Sequence, residues 1–227
     1  MALQFERRNL YGGAITVDFP TDVIDTSGLR EVPDHQEVFL RQSTLTSIIF
    51  EINQFQTPAD VLSNNVEVSD LDGASDNTPS PRIPVADAAA ASHHLKDTIP
   101  PEDRISDAGI ETTAIKLSRA SISNFPAYLS TATIIEPEID RSAKSALPLS
   151  WQAQPVQKEN ETKTQQLLVR LGEYGTDLCV RINIPMKEFS GNQSEAALTE
   201  LAVADNIMQK IMETLSVEDF SLFAGGE

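Results

Sequence analysis

The clearest alternation of apolar and polar positions lies in the last third of the chain. Leu167, Val169 and Leu171 alternate with Leu168 and Arg170, Glu173-Tyr174-Gly175-Thr176 breaks the pattern, and Leu178, Val180, Ile182 and Ile184 alternate with Cys179, Arg181 and Asn183. A period of two on both sides of a glycine-containing turn predicts a β-hairpin with one wholly apolar face. Beyond Pro185 and a polar turn through Gly191 the period changes. Leu198, Leu201, Ala204, Met208, Ile211 and Leu215 recur at helical spacing behind Ser194, a good N-cap residue. This predicts a helix from Ser194 to about Leu215, roughly 33 Å long at ~1.5 Å per residue. The tail residues Val217, Phe220, Leu222 and Phe223 are too apolar to be left in water and are expected to dock.

The N-terminal part is equally dense in signals. Ile15, Val17 and Phe19 alternate with Ala14, Thr16 and Asp18, the period of a half-buried strand, and Pro20 ends it. Gly12-Gly13 marks a turn or a close backbone approach just before it. Thr21 to Pro33 carries Asp25, Ser27, Gly28 and Pro33, the chemistry of turns and short helices, and Gln36 to Arg41 reads again as strand. Leu45, Ile48, Ile49 and Ile52 fall at helical spacing after Ser43 or Thr44, which predicts a helix to about Gln54.

The middle is different. From about Asn64 to Gly109, Pro79, Pro81, Pro84, Pro100 and Pro101 are scattered among Ser, Asp, Asn and Ala, with little apolar periodicity to bury. Most of it reads as insertion, with one ordered island where Ala86 to Ala91 forms a short helix running into His93 to Ile99. Thr112 to Leu117 and Ala127 to Ile135 have strand composition. Glu136 to Lys163, which holds Trp151, is again polar and proline-interrupted. The expectation is one domain over residues 1–227 with disordered insertions at about 64–83 and 137–163. Strands joined by hairpins, with helices that each need a sheet face, argue for an α/β sandwich with a largely antiparallel sheet.

Charge narrows the functional classes. Seventeen Lys and Arg against 34 Asp and Glu give the 227-residue chain a net charge of −17. Phosphate backbones and anionic membranes both need local positive charge, so neither nucleic acid nor membrane is an expected partner; basic proteins are. No stretch approaches the ~20 apolar residues of a membrane span. Met1 to Asn9, interrupted by Glu6, Arg7 and Arg8, does not read as a secretory leader, and a lone Cys179 cannot form an internal disulfide. A cytosolic or nuclear location is expected.

Candidate chemistry is sparse. No glycine-rich phosphate loop is present, because Gly12-Gly13 and Gly225-Gly226 lack the required spacing and following helix. His93-His94 lies near Asp97, Glu102 and Asp103, but adjacent side chains on a strand point to opposite faces and no further His is close, which argues for a solvated or half-buried pair rather than a metal site. Cys179 has no sequence-identifiable His partner and is expected to be packed and inert. No catalytic residue, metal or cofactor is assigned. The cluster Asp22, Asp25, Glu31, Asp34 and Glu37 has no sugar-binding aromatics nearby to suit a glycosidase. It reads either as solvated surface or as a docking patch for Lys and Arg of a partner, with Phe39 or Val32 supplying apolar contact.

The run Leu10-Tyr11-Gly12-Gly13-Ala14-Ile15-Thr16, followed by Ile24-Asp25-Thr26-Ser27-Gly28-Leu29-Arg30-Glu31-Val32-Pro33-Asp34-His35-Gln36-Glu37-Val38-Phe39, resembles the signature of the Mog-type Ran guanine nucleotide release factors, which are nuclear import proteins. Asp177-Leu178, Arg181-Ile182-Asn183-Ile184-Pro185 and Ser221-Leu222-Phe223 extend the resemblance. It implies the Mog/PsbP-like fold, a central antiparallel sheet of about six strands with helices on both faces. It also implies that Asp34 and Glu37 form the Ran-binding site, with Asp25 and Glu31 as neighbours, in a monomeric, noncatalytic regulator of nucleus and cytoplasm. An acidic adaptor for another basic protein is the alternative. Three residues apart on an ideal strand, Asp34 and Glu37 would face opposite sides. Both reach one partner if Asp34 belongs to the turn after Pro33 and the strand begins later.

Overall fold

The structure, a computed structural model, describes residues 3–63, 83–137, 159–189 and 194–223. Ten strands and three α-helices are described: β1 Phe5–Leu10, β2 Ile15–Pro20, β3 Val23–Asp25, β4 Gln36–Arg41, β5 Ser47–Gln54, α1 Pro58–Ser63, α2 Val85–Lys96, β6 Arg104–Ile115, β7 Ala127–Pro137, β8 Glu159–Leu171, β9 Thr176–Pro185, α3 Glu195–Thr214 and β10 Ser216–Val217. Seven strands form an antiparallel sheet in the order β3-β4-β5-β9-β8-β7-β6, and β1-β2-β10 form a smaller one. The α/β class expected from the sequence holds. The main sheet has seven strands rather than about six, and the second sheet was not anticipated.

The main core lies on one face of the large sheet. Leu167, Val169 and Leu171 of β8 and Leu178, Val180, Ile182 and Ile184 of β9 point there, where β2 and α3 cover them. α3 begins as expected: the Ser194 side chain accepts the Ala197 N–H at 3.1 Å. The tail docks through Val217 in β10 and through Phe220, whose ring stacks on Tyr174 with centroids 4.7 Å apart.

The reverse hairpin face, read as polar, is buried as well. Leu168, Cys179 and Tyr128 pack beneath Ala89, Ala90 and Ala91 of α2, where small side chains let the helix lie close. Its polar residues are paired internally. Arg170 Nε sits 3.0 Å from Asp177 Oδ1 and its Nη1 2.9 Å from Asp87 of α2, while His94 Nε2 donates to Asp177 Oδ2 at 2.8 Å. The histidine pair thus lies on a helix, with His94 used to fasten α2 to the sheet.

Three expectations are corrected. Ser43 to Gln54 is not a helix: Ser47–Gln54 is a central strand between β4 and β9. Burial on both of its faces makes the apolar run nearly continuous, a pattern that periodicity alone leaves ambiguous, and three isoleucines favour the extended form. The proline-rich stretch read as running to about Gly109 ends earlier, since β6 starts at Arg104. The second expected insertion runs into β8, since Glu159 to Lys163 already pair with β7. Residues 64–82 and 138–158, including Trp151, lie outside the described residues.

Candidate functional site

The acidic segment is built on a backbone framework that fixes where each carboxylate sits. β3 ends at Asp25, whose Oδ1 accepts the Ser27 N–H at 2.9 Å and caps a 3-10 turn over Thr26–Gly28. Thr26 is buried and its hydroxyl donates to the Val38 carbonyl at 3.0 Å, tying the turn to β4. The Gln36 N–H then bonds the Pro33 carbonyl at 2.8 Å, closing a tight turn that contains Asp34 and His35. Asp34 therefore lies in the turn after Pro33 and β4 starts at Gln36, as the sequence reading requires for both carboxylates to meet one partner.

Glu37 is anchored by a distant part of the chain, whereas Asp25 is held by the nearby Ser27 N–H. Glu37 is half-buried, and one carboxylate oxygen accepts the main-chain N–H of Tyr11, in the turn that joins β1 to β2. Tyr11 has φ 49°, followed by Gly12 at 65° and Gly13 at 99°. A left-handed run of this kind is tolerated because two of its three residues lack a Cβ. The Tyr11 hydroxyl donates to the His35 carbonyl at 3.1 Å, so both ends of this residue grip the acidic segment. Burial pushes the Glu37 carboxyl above the ordinary carboxylate range; the Tyr11 N–H opposes that, Asp25 adds to it and Arg8 counters it.

The four expected residues differ in setting. Asp25 pairs across from Phe39, two residues from Glu37 on the same strand face, so these two carboxylates are brought together. Asp34 and Glu31 are exposed in the connection leading to β4. Asp22, also in the cluster, is not available to a partner: its Oδ2 lies 2.6 Å from Arg41 Nη2. Phe39 is corrected as an apolar contact, being 1% exposed within the core, whereas Leu29 at 72% is fully presented beside the turn.

Arg8 of β1 was missed by sequence reasoning. Its guanidinium lies 5.1 Å from the Phe39 ring centroid, near Glu37, and the strand that carries it shows no alternation from which to find it. The other candidates of the sequence are accounted for. Cys179 is buried, and burial pushes its thiol up to about 12, which leaves it protonated and unreactive. Among the described residues no group of His, Cys, Asp and Glu is placed to hold a metal, and no helix is long and apolar enough to cross a membrane. What the edge offers is three exposed carboxylates, Asp25, Glu31 and Asp34, beside the half-buried Glu37.

Comparison with known proteins agrees with the resemblance. The model of the family described as Ran-interacting Mog1 protein matches residues 8–185. A probable Ran guanine nucleotide release factor of Dictyostelium discoideum is 30% identical over 234 residues, covering 98% of each chain. The Ran guanine nucleotide release factor of Danio rerio is 28% identical over 184 residues, 79% of this chain and 78% of that one. The crystal structure of the Saccharomyces cerevisiae Ran-binding protein Mog1p superposes with a TM-score of 0.53 at 19% identity, over 98% of this chain and all of that one, and shows the shared fold.

Proposed function

The chain belongs to the Mog1 family of Ran-interacting proteins, and from that premise we propose that it binds the small GTPase Ran through the Asp34/Glu37 edge, promotes release of its guanine nucleotide and serves nuclear protein import. The observation that carries the site is the turn at Asp34. It presents an exposed carboxylate next to an anchored one, with Asp25 and Glu31 adding charge of the same sign.

The role needs no covalent chemistry and no cofactor. A protein that binds nucleotide-free Ran more tightly than loaded Ran weakens nucleotide affinity by the same factor, because the two equilibria are linked. The acidic edge supplies the electrostatic part: it steers a basic surface into place and competes with phosphate for a Lys or Arg of the GTPase. A role on Ran in nuclear import calls for presence in both the nucleus and the cytoplasm. The test is the release of a fluorescent guanine nucleotide from purified Ran. Acceleration by stoichiometric amounts of this chain is expected, and unchanged release would overturn the proposal.

A further inference from the structure

Exposed carboxylates by themselves make a weak contact. Ion pairs that stay in water contribute little affinity, and complementary charge acts mainly on the rate of encounter. The acidic edge is also not uniformly acidic: Arg30 is exposed between Asp25 and Glu31 in the sequence and offsets part of their charge. A lasting complex formed at this edge therefore needs apolar area as well. The aliphatic side chains from Asp25 to Glu37 are Val32, which is half-buried, and Leu29. At 72%, Leu29 is the most exposed large apolar side chain among the described residues.

The backbone beneath Leu29 is held in place. The residue follows the 3-10 turn Thr26–Gly28 with φ −107° and ψ −30°, in the right-handed region open to any side chain. Its N–H donates to the Thr26 carbonyl at 2.9 Å, and the Arg30 N–H donates to the same oxygen at 3.1 Å. Thr26 is itself buried and its hydroxyl donates to the Val38 carbonyl of β4, while the Asp25 carboxylate at the end of β3 accepts the Ser27 N–H. A lone exposed leucine on a loose loop would need no explanation. One carried on a turn braced to two strands loses little freedom when a partner covers it, so more of its burial is available as affinity.

We infer that Leu29 is the apolar anchor of the Ran contact, buried against an apolar patch of the GTPase, so that it sets how long the complex lasts while the carboxylates around it set how fast the complex forms. The inference rests on the proposed use of the Asp34/Glu37 edge for Ran. It divides one surface into two functions that kinetics separates. Burying a leucine slows dissociation and responds little to salt, whereas the carboxylates act on the encounter through a field that salt screens.

The experiment follows association and dissociation of the full chain on immobilised, nucleotide-free Ran at several salt concentrations. Leu29→Ala is expected to dissociate about tenfold faster than the wild type, with the same association rate and the same salt dependence. Leu29→Met keeps the apolar volume and is expected to recover most of the wild-type lifetime. Leu198→Ala, the same truncation at an exposed position of α3, is expected to bind as the wild type does. Dissociation of Leu29→Ala at the wild-type rate, or an equal effect of Leu198→Ala, would overturn the inference. So would a lowered unfolding midpoint in Leu29→Ala, which would make the side chain a support of the fold. A wild type that does not bind Ran would overturn the proposed function and the inference with it, whereas binding that is lost in Asp34→Lys and kept in Leu29→Ala would overturn the inference alone.

Discussion

The main-chain N–H of Tyr11 donates to the carboxylate of Glu37, 26 residues further along the chain, and this bond makes Glu37 both a support of the site and a member of it. Asp34, exposed and without such an anchor, is a member only. Substitutions at the two positions therefore have different signatures. Glu37→Leu removes the acceptor and is expected to cost about 1–3 kcal/mol in urea unfolding, whereas Glu37→Gln keeps an oxygen for Tyr11 and costs less. Asp34→Lys leaves the unfolding midpoint nearly unchanged. Equal losses at Asp34 and Glu37 would show that the Tyr11 bond does not set the distinction.

The same residue gives a pH signature. Burial raises the folded-state Glu37 pKa. A raised acid favours the folded state fully below the unfolded pKa, and that contribution is lost as pH rises through the folded value. Measured against Glu37→Gln, which cannot titrate, the wild type is expected to lose relative stability from the ordinary carboxylate range upward. A difference that grows with pH in favour of the wild type would contradict the assigned direction.

Glu200 of α3 is buried and reaches the main sheet, where its Oε2 lies 2.5 Å from Arg41 Nη1 and its Oε1 accepts from Thr46 at 2.7 Å and Thr44 at 3.0 Å. Glu200→Ala leaves Arg41 with Asp22 alone and is expected to cost about 3–5 kcal/mol, because one member of a buried pair loses its counter-charge. A loss below about 1 kcal/mol in equilibrium unfolding would mean that the pair contributes little to fastening α3.

Further along α3, Met208 is 1% exposed and Ile211 is fully buried, while Gln209 is exposed and donates to Glu213. Met208→Asp or Ile211→Asp buries an unpaired carboxylate, at a cost of several kcal/mol, about 3 or more. Gln209→Asp is expected to change stability little. Thermal unfolding of the three variants checks the assignment, and similar midpoints for all three would refute it.

The residues that were legible in the sequence are those whose burial follows hydropathy. β8, β9 and the C-terminal half of α3 each bury a regular apolar set, and the Asp34 turn was legible because Pro33 precedes it. The predicted helix stripe fails at its start: Leu198 is 57% exposed, while Ala197 and Glu200 face inward. The reason is Arg41, whose buried guanidinium draws an acid to a position that hydropathy puts in water. β1 was missed because Glu6, Arg7 and Arg8 interrupt its apolar residues, so Arg8 beside Glu37 had no signal. The anchoring of Glu37 by a main-chain N–H depends on the left-handed turn at Tyr11, and no side-chain pattern encodes that contact.

The most direct measurement is guanine nucleotide release from purified Ran by the wild type, Asp34→Lys and Asp205→Lys. Asp34→Lys replaces an attraction by a repulsion at the proposed contact and is expected to weaken the Ran interaction by about 2–5 kcal/mol, with release falling accordingly. Asp205→Lys changes net charge equally at an exposed position on α3 and is expected to release nucleotide nearly as the wild type does. Full release activity in Asp34→Lys, with an unchanged circular dichroism spectrum, would contradict the assignment of the Asp34/Glu37 edge as the Ran-binding site. Equal losses in both variants would contradict it as well, since they would reduce the effect to overall charge.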